Sequence, residues 1–192
     1  MVADVVHVRR PRHDEAAELR DLAERTFRAA FAADNDPADV ESYVCRAFAA
    51  PQIDAELEDP ASRFMVATIR DAGNLHRERL VGYAKLRSGP VEPCVSDPAA
   101  IELERIYVDQ SALGRGVGAA LMAVVLREAA ALGHRTIWLG VWEHNHRAIE
   151  FYRRWGFEVA GSHVFRLGVD DQTDLVMERP LEPTGAAAPT TG

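Results

Sequence analysis

The sequence predicts a single α/β domain with a mixed central sheet of about six or seven strands, flanked by about four helices. Short segments rich in β-branched and aromatic residues alternate with longer segments whose apolar residues recur at helical spacing. A strand–helix–strand–helix order near the centre of the chain is typical of α/β folds. The length of 192 residues suits one well-packed domain, predicted to span residues 1–181.

The N-terminal half is predicted to contain three strands and two helices. The strands are residues 5–8, 64–69 and 80–86, the last two joined as a hairpin through turn residues 71–74, and the helices are residues 14–31 and 39–49. Pro37 can open the second helix. Three prolines between residues 88 and 100 indicate a loop before the central unit.

The C-terminal half begins with that central unit. Its predicted elements are strand 101–108, helix 117–132, strand 136–142, helix 145–155 and the strands 157–160, 163–167 and 174–177. Gly133 and Gly156 are placed to end the two helices, Gly133 in a left-handed cap. Residues 182–192 are Pro, Thr, Ala and Gly apart from Glu182, with little to bury, and a disordered tail is predicted there.

The bulk composition restricts the function classes. A formal net charge of -8 argues against nucleic-acid binding and fits a cationic partner better. The two cysteines lie far apart and show no metal-ligand spacing, and His144 and His146 alone do not make a site, so no metal is predicted. A signal-peptide pattern and an apolar run of membrane-spanning length are both lacking, which predicts a cytoplasmic protein without a membrane partner.

The strongest local signal is the glycine-rich segment 108–119, where a predicted strand turns into a helix. Amides at a helix N-terminus are unpaired and carry partial positive charge, so they suit a phosphate. Gly116 and Gly118 remove Cβ atoms that would hold a pyrophosphate away, and Arg115 adds charge at the rim. A glycine-rich turn that merely packs is the alternative, and the spacing fits neither a Rossmann fingerprint nor a P-loop.

The flanks of this segment add a second motif. Residues 137–141 form a strand, and Asn145-x-x-Ala148-x-x-Phe151-Tyr152-x-x-x-Gly156-Phe157 follows it. Together the two motifs resemble the GNAT superfamily of N-acetyltransferases, with residues 113–118 similar to its Q/R-x-x-G-x-G/A acyl-CoA motif. The first motif position is Leu113 here, where the family usually has Gln or Arg. Because that position acts mainly through its backbone, cofactor binding is expected to survive.

The resemblance implies a GNAT fold, acetyl-CoA as co-substrate and a splayed strand pair at the acyl-CoA site. The pantetheine arm would lie between strands 106–108 and 137–141, and the pyrophosphate on the amides of residues 114–119. The implied cofactor-binding residues are Ile106, Tyr107, Val108, Leu113, Gly114, Arg115, Gly116, Val117, Gly118, Ala119, Asn145, Ala148 and Tyr152. Asn145 is also a plausible helix N-cap.

Three side chains are implied in catalysis. Glu102 matches a glutamate base of some family members, and Glu104 is the close alternative. Strand alternation would place both carboxylates on the side of Ile106 and Val108; either could instead be solvated or paired with an arginine. Tyr152 occupies the position of the family's general acid, which protonates the departing thiolate. A tyrosine between Phe151 and Trp155 could also be ordinary core.

The acceptor is implied by a narrower resemblance. Residues 137–143 and 168–177 are similar to the PaiA-type spermine and spermidine acetyltransferases, which implies a small-molecule amine such as a polyamine as substrate. Asp170, Asp171 and Asp174 with Asp34, Asp36, Asp39 and Glu41 could form an acidic wall, or be turn residues and solvated faces. A protein N-terminus, a lysine or an aminoglycoside as acceptor, and a non-catalytic acyl-CoA sensor, stay open as alternatives. Family members often dimerise, so a homodimer is possible.

Overall fold

The computed structural model describes residues 5–71 and 74–182, with only the backbone described at residues 71 and 74–77. Seven strands and five α-helices follow one another along the chain. They are β1 (His7–Arg9), α1 (Ala16–Phe31), α2 (Pro37–Ala47), α3 (Ala50–Glu58), β2 (Ser62–Asp71), β3 (Asn74–Arg87), β4 (Ile101–Val108), α4 (Val117–Ala131), β5 (Thr136–Trp142), α5 (His146–Arg154), β6 (Glu158–Leu167) and β7 (Asp170–Pro180). The predicted mixed α/β class is confirmed.

The strands form one seven-stranded sheet in the order β1-β2-β3-β4-β5-β7-β6. Neighbouring strands pair antiparallel except β4 and β5, which are parallel because α4 carries the chain back between them. The β2–β3 pairing agrees with the predicted hairpin, although its turn at residues 72–73 lies outside the described residues. The same holds for residues 183–192 of the predicted tail.

Each face of the sheet buries its own apolar cluster. On one face, α4 and α5 pack through residues such as Val117, Leu121 and Ile149. On the other, α1, α2 and α3 pack through residues such as Leu22 and Val44. These are called the α4/α5 face and the α1–α3 face below. Among the described residues, no helix is long and apolar enough to cross a membrane.

Two predictions about single elements were wrong. Helix α3 was not predicted, because only Ile53 and Glu56 of its nine residues are buried and its apolar periodicity is weak. The segments 157–160 and 163–167, predicted as two strands, are the single strand β6. Gly161 and Ser162 continue its pairing with β7, and a β-bulge between Val159 and Gly161 absorbs the irregularity.

Candidate active site

The centre of the sheet contains a gap between its two parallel strands. Strands β4 and β5, both described in full, pair only at Ile101 with Ile137 and at Glu102 with Trp138. Beyond these positions the strands no longer pair, in agreement with the splayed pair that the resemblance implied. The Asp109 N–H donates to the Val81 carbonyl at 2.8 Å, on the β3 side of β4. Since an antiparallel ladder alternates, the backbone groups of Ile106 and Val108 face the gap.

A cavity of about 870 Å³ passes through this gap and is lined from both faces of the sheet. On the α4/α5 face its walls include the start of α4, Asn145, Ala148 and Tyr152. On the α1–α3 face they include aromatic side chains of the helices and charged side chains of the strands. Two different molecules could therefore enter from opposite sides and meet at the gap.

The glycine-rich turn lies at the α4/α5 mouth of this cavity. Gly114 and Gly116 have φ angles of +75° and +81°, where a side chain would be strained, and Gly116 caps α4. A Cβ atom at either position would meet nothing within 4 Å. The glycines therefore serve the backbone conformation and leave the amides accessible rather than filling a packed turn. The charge and shape of this turn fit a pyrophosphate.

The other predicted cofactor-binding residues surround this turn. Val117 is buried against the sheet, and Leu113, Arg115 and Ala119 are exposed. A Cβ atom on Gly118 would lie 3.6 Å from the Phe151 ring. Tyr107 differs from its neighbours Ile106 and Val108, because its ring stacks on Tyr83 on the α1–α3 face. By the alternation described above, the backbone groups of Tyr107 face β3 and not the gap.

Helix α5 holds the remaining predicted residues of this face. The Asn145 side chain accepts a hydrogen bond from the Ala148 N–H at 3.1 Å, which confirms it as the N-cap. Tyr152 is only 9% exposed and lines the cavity, with its ring 5.8 Å from that of Phe157. Burial raises the pKa of the Tyr152 phenol well above its usual range. The phenol therefore carries its proton at neutral pH and can donate it.

The two predicted glutamates of β4 lie on the opposite face from Ile106 and Val108, contrary to the prediction. A β-bulge lies where Lys85 pairs with Arg105 and Leu86 with Leu103, so Glu104 is the extra residue. The bulge reverses the alternation of the strand. Leu103 and Ile106 pack on the α4/α5 face. On the α1–α3 face, Arg105 pairs with Glu56 of α3, and Glu104 pairs with Lys85, which also binds Glu56.

Glu102 and Glu104 have different environments. Glu104 is paired with Lys85 at 2.9 Å and with Arg105 at 3.1 Å. Glu102 lines the cavity, and burial together with the nearby Glu104 carboxylate raises its pKa to about 7. No ion pair involves Glu102 among the described residues. Glu102 therefore exchanges its proton near neutral pH, as a general base must.

A histidine that the sequence analysis missed lies on the same face. Asp174, 3.9 Å from His163 Nε2, and Glu92, 2.8 Å from Nδ1, raise the pKa of His163 to about 9. A side chain on Gly140 would meet His163 Nε2 at 3.0 Å, so this glycine admits the His163–Asp174 pair to the cavity wall. An isolated histidine in an edge strand carries no motif, and nothing in the sequence pointed to it.

Aromatic rings form the rest of the α1–α3 wall. Phe27 stacks on Tyr43 with ring centroids 4.5 Å apart, and Tyr43 lies 5.7 Å from Phe165. All three rings line the cavity, together with Phe31 and Phe48. This wall offers apolar surface and ring faces, to which an alkyl ammonium is attracted.

The predicted acidic wall is mostly wrong. Of its seven residues, only Asp174 lines the cavity. Asp36 caps α2, Asp39 accepts from the Val169 N–H, and Asp171 and Glu41 pair with Arg166 and Arg28. These carboxylates satisfy local backbone and side-chain donors, which was the alternative interpretation of such residues.

Comparison with known proteins gives a family. A sequence model described as the Acetyltransferase (GNAT) family matches residues 16–157. An uncharacterised N-acetyltransferase of Mycobacterium bovis is 35% identical over 167 residues, covering 87% of this chain and 98% of its own. A solved PaiA N-acetyltransferase of Thermoplasma acidophilum, in complex with coenzyme A, has a TM-score of 0.70 at 17% identity. It covers 92% of this chain and 99% of its own, and at this identity the likeness shows the fold.

A further relative has a named substrate. The spermine/spermidine N(1)-acetyltransferase of Bacillus subtilis is 27% identical over 93 residues, which is 48% of this chain and 61% of that protein.

Proposed function

The chain belongs to the GNAT family of acetyltransferases, and we propose that it acetylates a primary amine of a polyamine such as spermine or spermidine. Membership makes it an acetyl-CoA-dependent N-acetyltransferase. What we propose is the acceptor, direct attack in a ternary complex, and the catalytic role of each side chain. The observation that carries it is a carboxylate with a pKa near neutrality, Glu102, inside a cavity walled by aromatic rings.

Acetyl-CoA is assigned to the α4/α5 face. The amides of residues 114–119 would hold its pyrophosphate, because the glycine turn leaves them accessible. The backbone groups of Ile106 and Val108, which lack a strand partner, would pair with the amides of the pantetheine arm as an added strand does. The Val108 N–H is a donor for the thioester oxygen, where negative charge develops. The bound thioester supplies the activated acetyl group.

Glu102 is assigned as the general base. An alkyl amine is mostly protonated at neutral pH and must lose a proton before it can attack. A carboxylate with a pKa near 7 can take that proton, directly or through water, while Glu104 is held by Lys85 and Arg105. The amine then forms the new C–N bond as the C–S bond breaks.

Tyr152 is assigned as the general acid. It lies on the α4/α5 face with its phenol protonated, because burial raises its pKa. The thiolate that leaves on C–S cleavage needs one proton, and Tyr152 can give it. The products are the N-acetylated amine and coenzyme A.

The transfer is assigned to a ternary complex with direct attack. The cavity opens to both faces of the sheet, so donor and acceptor need not exchange places. An acetyl-enzyme intermediate would need a nucleophile beside the thioester, and neither cysteine lines the cavity: Cys45 is exposed and Cys94 packs against Gly161.

A polyamine is favoured as acceptor by the chemistry of the α1–α3 side. Asp174 is nine-tenths buried, and its Oδ1 atom has no hydrogen-bond partner among the described residues. A second ammonium group of the acceptor would supply the missing donor. The aromatic rings would contact the methylene segments between the nitrogens. The Bacillus relative that acts on spermine and spermidine supports the same class.

Release of coenzyme A thiol with different acceptors tests this function. Spermine, spermidine, n-butylamine, a lysine peptide and an aminoglycoside are compared at equal concentration with saturating acetyl-CoA. We expect kcat/KM to be highest for the polyamines and lower for butylamine, which has one nitrogen. Turnover with the peptide or the aminoglycoside alone would overturn the polyamine assignment. Acetyl-CoA binding without thiol release on any amine would favour a sensor.

A further inference from the structure

Four charged side chains form an ion-pair group that includes Glu104, two residues after Glu102 on β4. Lys85 is 3% exposed, and its ammonium nitrogen is 3.0 Å from the Glu56 carboxylate and 2.9 Å from that of Glu104. Arg105 binds Glu56 through two hydrogen bonds of 2.8 and 3.1 Å and lies 3.1 Å from Glu104. The two cations and two carboxylates make a closed network, called the charge cluster below.

Stability alone is a weak reason for this cluster. Burying ion pairs costs about as much in desolvation as their attraction returns, and apolar residues of the same volume often serve as well. The cluster also lies beside the proposed base, where a nearby charge affects proton transfer. Glu104 and Arg105 line the same cavity as Glu102. Strand alternation puts Glu102 and Glu104 on one face of β4, and the β-bulge adds Arg105 to that face.

We propose that Glu104 is a positioning residue whose carboxylate, held in place by Lys85 and Arg105, keeps a negative charge beside Glu102 and so favours uptake of the amine proton by Glu102. This inference rests on the assignment of Glu102 as the base. Glu104 would then position the charge beside the base and would not be the base itself, which was the alternative that the resemblance implied. The cluster fixes both the charge and the location of Glu104, because a mobile carboxylate would turn to solvent.

The groups facing Glu102 come from three strands. Glu104 on β4 is the negative neighbour, and the positive ones are Arg87 and Lys85 on β3 and His163 on β6. Burial and Glu104 raise the pKa of Glu102, whereas Arg87, Lys85 and His163 lower it. Removing a negative neighbour should therefore make Glu102 more acidic, and removing a positive one should make it less acidic.

The test is the acidic limb of the pH profile of kcat/KM, measured with one acceptor so that its own ionisation contributes equally to every variant. In Glu104→Gln we expect the limb to move to lower pH by roughly one unit. In Arg87→Gln, whose side chain is half exposed, we expect it to move to higher pH. Glu158→Gln, an exposed carboxylate on β6, is the matched control and should leave the profile unchanged.

The limb is expected to move in opposite directions in Glu104→Gln and Arg87→Gln, and a structural role of the cluster does not predict this. A purely structural cluster would lower kcat/KM in Glu104→Gln at all pH values and leave the limb in place, which would overturn the inference. If Glu104→Gln does not fold, the double change Glu104→Gln with Lys85→Gln, which removes one charge of each sign, is measured instead. Its limb should still move to lower pH, because Glu104 acts on Glu102 more strongly than Lys85 does, and an unmoved limb contradicts the inference. Glu102→Gln distinguishes the two proposals: if it keeps full activity and the same limb, the assignment of the base fails. If it loses activity while the limb of the other two variants stays fixed, only the inference about Glu104 fails.

Discussion

The Glu102 side chain has an environment that suits proton transfer and opposes folding. Its pKa of about 7 lies above the ordinary glutamate value of 4.5 because burial and the Glu104 charge disfavour the carboxylate. A folded-state pKa above the unfolded one means that the folded protein binds the proton more tightly. The stability associated with this proton is fully present below about pH 4.5 and is lost as the pH rises through 7.

Replacement of Glu102 by Gln should therefore stabilise the protein at alkaline pH while it reduces activity. Glutamine has no charge to bury. The free energy of unfolding of Glu102→Gln should therefore exceed that of the parent protein by about 2 kcal/mol at pH 8.5, with little difference near pH 4.5. Urea denaturation of both proteins at these two pH values measures the effect. A difference that does not change with pH would contradict the raised pKa.

The Tyr152 side chain combines ring packing with a hydroxyl group that can donate a proton. Its ring contacts Phe151 and Phe157, and these contacts need no hydroxyl group. The change Tyr152→Phe keeps the ring and removes the proton donor. We expect kcat to fall by roughly 10²-fold or more, as for loss of a general acid, with a much smaller change in the Kd for acetyl-CoA. An unchanged kcat would remove Tyr152 from the acid role.

At the scale of elements, strand β4 shows how one inserted residue redirects chemistry. Residues 101–108 read as an ordinary strand, and regular alternation would send Glu102, Glu104, Ile106 and Val108 to one face. The bulge at Glu104 instead leaves the two carboxylates on the α1–α3 face and turns the side chains of Ile106 and Val108 to the α4/α5 face. A bulge depends on the register with β3, and the sequence of β4 alone does not contain that register.

The start of helix α4 offers a matched test of the acyl-CoA site. Gly116 and Gly133 lie at opposite ends of α4 with φ angles of +81° and +89°, and a Cβ atom would meet nothing within 4 Å at either. Alanine should therefore cost about 1 kcal/mol of stability at both positions, through backbone strain alone. Of these two glycines, Gly116 lines the cavity and Gly133 does not.

We expect Gly116→Ala to raise the Kd for acetyl-CoA roughly tenfold, which corresponds to about 1.4 kcal/mol, while Gly133→Ala leaves it unchanged. Isothermal titration calorimetry gives the Kd, and thermal unfolding checks that the two variants lose similar stability. Equal affinity in both variants would show that the turn at Gly116 does not hold the cofactor.

At the scale of the whole molecule, the sheet order brings together residues of the α1–α3 side of the cavity. Glu102 on β4, Asp174 on β7 and Phe27 on α1 are far apart in the sequence, yet all line one cavity. They meet because β7 pairs between β5 and β6, which places Asp174 beside His163 and next to the gap. The formal net charge of -8 gives the molecule as a whole a negative field that attracts cations.

This field predicts a salt dependence that differs between acceptors. The KM for spermidine should rise several-fold as NaCl is increased from about 20 to about 300 mM, because salt screens the attraction of a polycation. The KM for n-butylamine, with a single charge, should rise less. Initial rates at saturating acetyl-CoA measure both. Parallel changes for the two amines would argue against electrostatic selection of a polycation.

Four features could be predicted from the sequence: the fold class, the central strand–helix order, the glycine turn at Gly114 and Gly116, and the Asn145 cap. Each of these follows from local rules: periodicity, backbone conformations that only glycine adopts easily, and hydrogen bonds between near neighbours. Tertiary structure alone decided the bulge at Glu104, the pairing of Glu104 with Lys85 and Arg105, and the approach of His163 and Asp174 to the gap. These features depend on register and strand order between distant segments, because the energy of a charged or polar group is set by what surrounds it in space.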